Sequence, residues 1–309
     1  MATEPILAVL DVSAVQGRRM TRSNVLFDYW ELTKPEINFM IAITAAAGFW
    51  LGSPAARPHF LWSLFLQMLL GTVLVASGAA TLNQLIELEY DAQMRRTARR
   101  PLASGRIAPS HSLWFGVLLS VFGVIYLAIS TNALASLLAG LTLLSYLFLY
   151  TPLKRLTPLC TLVGAIPGAA PPLIGWAAAH GRLDPAAWLL FAIVFLWQFP
   201  HFMSIAWMYR DDYARAGYLV LPSEENRNGF VIWQSVLAPT FLLLVGVLPV
   251  ISRLSGLLYF VGALAIGGVF LYYSARFAVR RTNVAARQLL LVSILYLPAV
   301  FALLVLDKK

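Results

Sequence analysis

Charge is scarce in this sequence: 12% of its 309 residues are Asp, Glu, Lys or Arg, about half the share of a soluble domain. Cysteine is nearly absent, since Cys160 stands alone. That excludes a disulfide-stapled secreted domain and a zinc site built from thiolates. Acidic side chains number only 14, so wherever they cluster the clustering is informative. Apolar residues fill the remainder, at 60% of the chain with a mean hydropathy of +0.74. Such a composition excludes an ordinary soluble globule and a disordered chain. Nine spans of about 20 residues would use about 180 residues and leave enough chain for connectors. The sequence therefore reads as all-α, a polytopic membrane bundle of about nine helices.

Residues 1–35 form a polar tail. Its one apolar stretch, Ile6 to Val15, is interrupted by Asp11 and led by no basic residue, which is not the layout of a cleaved signal peptide. Apolar segments follow near 37–51, 61–83, 112–130, 133–150, 159–179, 186–208, 229–251, 255–274 and 288–306. Together they make one transmembrane domain over 36–306, with 307–309 as a short end. Each segment is apolar all round, as suits a helix facing lipid or other helices. The stretch 159–179 holds Pro167, Pro171 and Pro172 among several glycines. It should be a broken helix whose freed backbone groups find partners inside the protein. With nine spans, only Arg57, Arg182, Arg253, Lys308 and Lys309 of the 23 Lys and Arg fall opposite the N-terminal side. Basic residues stay where the chain is made, which places the N-terminus and the connectors 84–111 and 209–228 inside. Topology thus accounts for the net charge of +9, and no nucleic acid is required.

Those two connectors hold most of the polar chemistry. Asn83, Glu87 and Asp91 are spaced i, i+4, i+8, so on a helix their oxygens share one face. Asp211 and Asp212 stand at the corresponding end of the sixth span; being adjacent, they diverge by about 100° and one of them is the better ligand. Carboxylate and amide oxygens without His or Cys suit a hard divalent cation. Magnesium takes a few carboxylates together with phosphate oxygens, and neighbouring arginines would cover the oxygens the metal leaves free. For either cluster alone, charges that anchor a helix end in water explain it equally well. Two clusters on one side, each beside basic residues, favour a metal–diphosphate site. A secondary transporter would place its acids near the bilayer midplane instead.

Asn83 to Leu102 reads NQLIELEYDAQMRRTARRPL. This resembles the signature of the protohaem IX farnesyltransferases, within the UbiA superfamily of intramembrane prenyltransferases. YTPLKR from Tyr150, GAIPGAAPPLIGW from Gly164, WQFPHF from Trp197 and DDYARAG from Asp211 are similar to that family too. Cys160 stands where relatives usually have Asn, and Glu87 where Asp is commoner. The resemblance implies transfer of farnesyl from farnesyl diphosphate to a vinyl group of haem b, with addition of water, in a prenyl/haem cavity opening at the inner face. It implies Mg2+ as cofactor, held by Asn83, Glu87, Asp91 and the pair Asp211 and Asp212. Arg96, Arg100, Lys154 and Arg215 would contact diphosphate, with Arg155, Thr97 and Tyr150 as further substrate contacts and His201 facing haem. Each of these basic residues has a plainer role as a positive-inside anchor, and a lone His is more often a hydrogen-bonded core residue. The short tail with its Glu and Asp fits a bacterial plasma membrane better than an organellar precursor, and the resemblance implies a downstream haem a synthase or terminal oxidase assembly as partner. The nearest rival is a quinone-pathway enzyme of the superfamily that prenylates an aromatic acid.

Overall fold

The computed structural model describes residues 24–54 and 61–309. Arg18, Arg19, Arg22, Arg57 and His59, with most of the polar tail, lie outside the described residues. Among the described residues the regular structure is helical, and the one β feature is an isolated bridge between Ser255 and Lys308. Helices α1 (Val25–Leu32), α2 (Pro35–Gly52), α3 (Trp62–Ile86) and the single turn α4 (Leu88–Asp91) come first. After a non-helical loop come α5 (Pro109–Ser130) and α6 (Ala133–Leu153), the latter carrying a π turn at Tyr146–Tyr150. Next are α7 (Cys160–Gly168), α8 (Pro171–His180), α9 (Pro185–Met208) and α10 (Arg210–Arg215). The chain ends with α11 (Glu224–Ile232), a π turn at Trp233–Leu237, α12 (Ala238–Ile251), α13 (Leu257–Arg280) and α14 (Asn283–Leu306).

Eight helical stretches among the described residues are long and apolar enough to cross a membrane, and α2 is not among them. It nevertheless fills the first expected segment, its 18 residues opening on Pro35, Glu36 and Asn38. The other eight expected segments coincide with the eight candidates. Helix α1 occupies ground that the sequence assigns to the tail, because eight residues with two acids give no membrane-length signal. The final connector is shorter than the charges suggest: α13 runs on to Arg280 and α14 begins at Asn283. Arg276, Arg280 and Arg287 are therefore helical, their long stems able to carry charge outward from a helix end. Leu118, Ile129, Leu257 and Leu295 point away from the bundle, as suits membrane-length helices whose outer faces meet lipid.

The proline-rich stretch is broken at Ala169–Ala170, where α7 gives way to α8. Gln198 of α9 donates from Nε2 to the Ala165 carbonyl at 3.0 Å, so a neighbouring helix supplies the partner a broken helix needs. Every residue from Pro171 to Ala179 is buried, which makes α8 the central strut. Its tightest neighbour is α2. A Cβ on Gly175 would collide with the Ala45 carbonyl oxygen, and one on Gly48 with that of Pro172. Small residues let the two backbones approach where lipid provides no hydrophobic drive for helix association. With α2 held this way, Lys34 is delivered to the same end of the bundle as the C-terminal ends of α3, α6 and α9.

Candidate functional site

The site is built at that end, beginning with α3. Asn83 lies in its last turn, Glu87 caps it, and Asp91 closes α4. The Glu87 amide donates to Asn83 O at 3.0 Å and the Asp91 amide to Glu87 O at 2.8 Å. Helical register therefore runs through the break, and the i, i+4, i+8 side chains share a face as their spacing requires. All three are buried, at 1%, 6% and 2% exposure. A buried carboxylate must be paired or it forfeits its solvation, and each group here has a cation. Lys34 Nζ donates to Asn83 Oδ1 at 3.0 Å, Lys154 Nζ pairs with Glu87 Oε1 at 2.7 Å and Arg100 Nη1 with Asp91 Oδ2 at 2.6 Å. Asn83 also donates from Nδ2 to Thr151 Oγ1, and Thr97 Oγ1 donates to the Asp91 carbonyl at 2.8 Å.

The electrostatics of this face are lopsided. Burial pushes the Glu87 carboxyl upward, but the charge and hydrogen bond of Lys154, with Lys34 behind it, hold it below the usual carboxylate range. Lys154 is pushed down by burial and lifted by Glu87, ending well above an ordinary lysine. Burial, followed by repulsion from Arg100, brings Lys34 down to about 7. Three basic groups thus meet two carboxylates, and among the described residues Lys34 has an amide oxygen, not a carboxylate, as its hydrogen-bond partner. What the face lacks is an anion.

The second connector abuts the first. Met94, Ala216 and Tyr218 form a buried cluster with Tyr90, Tyr213 and Val220 against it, and the Leu219 amide donates to Lys154 O at 2.8 Å. Arg215 Nη1 reaches both Asp212 Oδ1 at 3.0 Å and Gln93 O at 3.4 Å, two residues past Asp91. Of the adjacent acids, the Asp212 side chain is 12% exposed and that of Asp211 is 86% exposed. Asp212 is thus turned toward the protein beside Arg215, which touches the first connector at Gln93, and Asp211 is turned outward. Arg96 lies over the Tyr209 ring at 4.9 Å and donates to the Tyr213 hydroxyl at 3.4 Å. Arg155 stacks over Tyr90 at 4.4 Å and Lys154 over Tyr150 at 4.6 Å.

Three contributors have no sequence signal of their own. Lys34, which in the sequence is simply one of the basic residues on the N-terminal side, sits at φ 51 directly before Pro35, a left-handed backbone uncommon outside glycine. Tyr146 places its hydroxyl 3.5 Å from Asn83 Oδ1. The buried Tyr218 hydroxyl faces Glu87 without reaching hydrogen-bond geometry. His201 is elsewhere, within α9, and no hydrogen bond or ring contact among the described residues joins it to the acids. Its Nδ1 is 2.8 Å from Ser293 Oγ, which donates its single proton to Leu290 O at 2.6 Å. Nδ1 must then be the protonated nitrogen, which leaves Nε2 with a lone pair. The ring stacks on Trp197 at 4.6 Å.

No three His, Cys, Asp or Glu residues among the described ones gather into a metal cage. The donors are hard oxygens on two abutting elements, with cations beside them. This donor chemistry suits magnesium, which binds through one or two carboxylates plus the phosphates of a substrate, and Asn83, Glu87, Asp91 and Asp212 could serve as its oxygen donors.

The fold and site together define a membrane-embedded, all-helical enzyme of polar mouth and apolar body. Residues 41–300 match the UbiA prenyltransferase family, and the chain belongs to that family. It is 48% identical to a protoheme IX farnesyltransferase of Solibacter usitatus, over 91% of this chain and 98% of that protein. It is 42% identical to a protoheme IX farnesyltransferase of Koribacter versatilis, over 93% and 94% respectively. Among solved structures, a digeranylgeranylglyceryl phosphate synthase is similar at a TM-score of 0.75 and 16% identity, over 91% of this chain and 98% of that one. A UbiA homologue from Archaeoglobus fulgidus bound to DMAPP and Mg2+ is similar at 0.63 and 14%, over 90% and 99%. The chain is a multi-pass membrane prenyltransferase.

Proposed function

We propose that this enzyme transfers the farnesyl group of farnesyl diphosphate to a vinyl group of haem b, with addition of water, giving haem o and diphosphate. The observation that carries the diphosphate half is the crowding of Lys34, Arg100 and Lys154 around only two buried carboxylates, an arrangement short of an anion. The haem half is supported by the protoheme IX farnesyltransferases to which the chain is 48% and 42% identical.

Magnesium, when bound, would be held by Asn83, Glu87, Asp91 and Asp212 and would draw electron density from the leaving diphosphate. The chain's own residues do the rest. Lys154 and Arg100 exchange a carboxylate partner for phosphate oxygens, and Lys34 turns from the Asn83 amide to the same anion. Arg96 and Arg215, at the seam of the two connectors, cover its outer oxygens, with Thr97, Tyr150 and Arg155 shaping the mouth. Positive charge aimed at the departing group stabilises the transition state without an enzyme nucleophile. As the C–O bond breaks, the allylic carbon becomes cationic, and an apolar bundle keeps water from it until the vinyl carbon attacks. The new cation beside the pyrrole then takes up water and loses a proton. His201, with its Nε2 lone pair free, faces the haem. We further propose nine crossings with the N-terminus and site on the cytoplasmic side of a bacterial plasma membrane. Helix α2 is the ninth, since 18 residues span about 27 Å.

The test is purified protein given magnesium, farnesyl diphosphate and either haem b or 4-hydroxybenzoate, with products read by mass. Farnesylated haem and released diphosphate are expected. Prenylation of the benzoate alone would overturn the assignment.

A further inference from the structure

Helix α1 takes no part in the chemistry above, and its surface is the reverse of a water-facing helix. Its apolar side chains point outward, with Val25, Leu26, Phe27 and Trp30 60–80% exposed, while Asp28 is 2% exposed and faces the protein. Arg106 holds it there: Nε pairs with Asp28 Oδ1 at 2.8 Å and Nη2 with Glu31 Oε2 at 3.2 Å. The same guanidinium donates to the Arg99 carbonyl at 2.9 Å and to Ser104 Oγ at 3.0 Å, so α1 is clamped to the loop that carries Arg96 and Arg100. At its other end Gln84, the neighbour of Asn83, donates to the Leu32 carbonyl at 2.8 Å.

We propose that α1 is a lipid-contacting foot lying in the interfacial layer of the bilayer, and that its clamp holds Lys34 in reach of the diphosphate site. Beyond the turn at Lys34, Ile37 and Phe39 at the start of α2 also point outward, at the start of the lipid-facing surface. Trp30 is of the residue type that settles at headgroup level. The loop to which α1 is bound exposes Arg95, Arg96 and Arg99, a charge complementary to anionic headgroups. Length fits the role as well, since eight residues make about 12 Å, enough to lie along an interface and too little to cross it. Two residues after Leu32 the backbone turns through Lys34 in the left-handed region. A strained residue persists only where its surroundings over-determine it, and here those surroundings are the anchored α1 on one side and the buried α2 on the other. The lipid contact stands without reference to the reaction; the positioning of Lys34 rests on the diphosphate reading.

The test uses the full chain in vesicles of phosphatidylcholine with and without phosphatidylglycerol. Cys160, the only cysteine, is replaced by Cys160→Ala, and a spin label is placed by Leu26→Cys, by Phe39→Cys as a lipid-facing reference or by Gln93→Cys as a water-facing one. We expect the Leu26 label to collide more with oxygen than with a nickel chelate, as at Phe39, with the contrast growing when phosphatidylglycerol is present. A Leu26 label that behaves like Gln93, or that couples to a label on a second copy, overturns the lipid assignment. Asp28→Asn then loosens the clamp without substituting any site residue. Binding of inorganic diphosphate with magnesium should weaken about tenfold, the scale of one charge-assisted hydrogen bond, with the Tm of the bundle unchanged. A mobile α1 with undiminished diphosphate binding would overturn the positioning of Lys34, and a failure of the protein to farnesylate haem would leave both readouts as they are.

Discussion

The two acidic connectors are built to opposite plans. In the first, Glu87 and Asp91 are almost wholly buried, and each is paired with a cation brought from a distant part of the chain or from the following loop. In the second, Asp212 has as its cation Arg215 of its own helical turn, and Asp211 stands in the open near Arg210 at 3.9 Å. Burying an ion costs several kcal/mol unless it is paired and hydrogen-bonded, so the first connector has its charges ordered before any substrate arrives. An exposed i, i+3 pair is worth a few tenths of a kcal/mol, so the second is held mainly by packing around Met94 and Tyr218. On the proposed reading, one connector is a finished half-site and the other supplies a single inward carboxylate to complete it.

That contrast is broken most directly by Asp91→Asn. The amide keeps the shape and loses the charge that a cation and Arg100 both use, so kcat should fall at least about 100-fold while the purified protein keeps its Tm. Full activity in this variant would remove Asp91 from the site. Asp212→Asn comes next, with an expected loss of about 10- to 100-fold in kcat/KM for farnesyl diphosphate, partly recovered by raised magnesium. Equal losses at the two positions, without any response to magnesium, would erase the distinction between a finished half and a completing residue.

Much of this contrast could be read from the residues alone, and the parts that could not share a cause. Apolar runs locate helices wherever a span is long, so the eight candidate crossings and α2 stand where the composition puts them. The Asn83, Glu87, Asp91 spacing is legible because a helix turns local sequence into a shared face. Lys34 was not legible as a site residue: it lies 49 positions from Asn83, and only the packing of α2 on α8 brings it there. Tyr146 and Thr151 were hidden inside an apolar run, where an aromatic or a hydroxyl usually means packing. Helix α1 escaped because a helix with its apolar face outward and its acid inward looks like an irregular tail until Arg106 is seen beside Asp28. The choice between Asp211 and Asp212 turned on helix phase within one turn, which adjacent letters do not encode.

Removing the cations separates the plans by stability. Arg100→Ala strands the buried Asp91 carboxylate, which should cost about 3 kcal/mol and lower Tm in addition to raising KM for farnesyl diphosphate. Arg215→Ala removes an exposed partner, so Tm should hold within about 0.5 kcal/mol while KM for the diphosphate rises about tenfold. A Tm loss as large for Arg215 as for Arg100 would mean that the second connector is as tightly wired as the first.

The smallest effect is the sharpest check on helix phase. Asp211 and Asp212 are adjacent and chemically identical, so any account based on net negative charge at this end of α9 predicts the same loss from either. Geometry predicts otherwise, because the Asp211 side chain is 86% exposed and its nearest cation, Arg210, is already hydrogen-bonded to Trp207 O and Asn283 Oδ1 at 2.9 Å. A solvated carboxylate there is screened from a site on the other side of the helix. Asp211→Asn should therefore leave kcat, KM and the magnesium requirement within about twofold of the parent, in steady-state assays beside Asp212→Asn. If Asp211→Asn instead behaves like Asp212→Asn, α10 must rotate when substrate binds, and the outward acid belongs to the site after all.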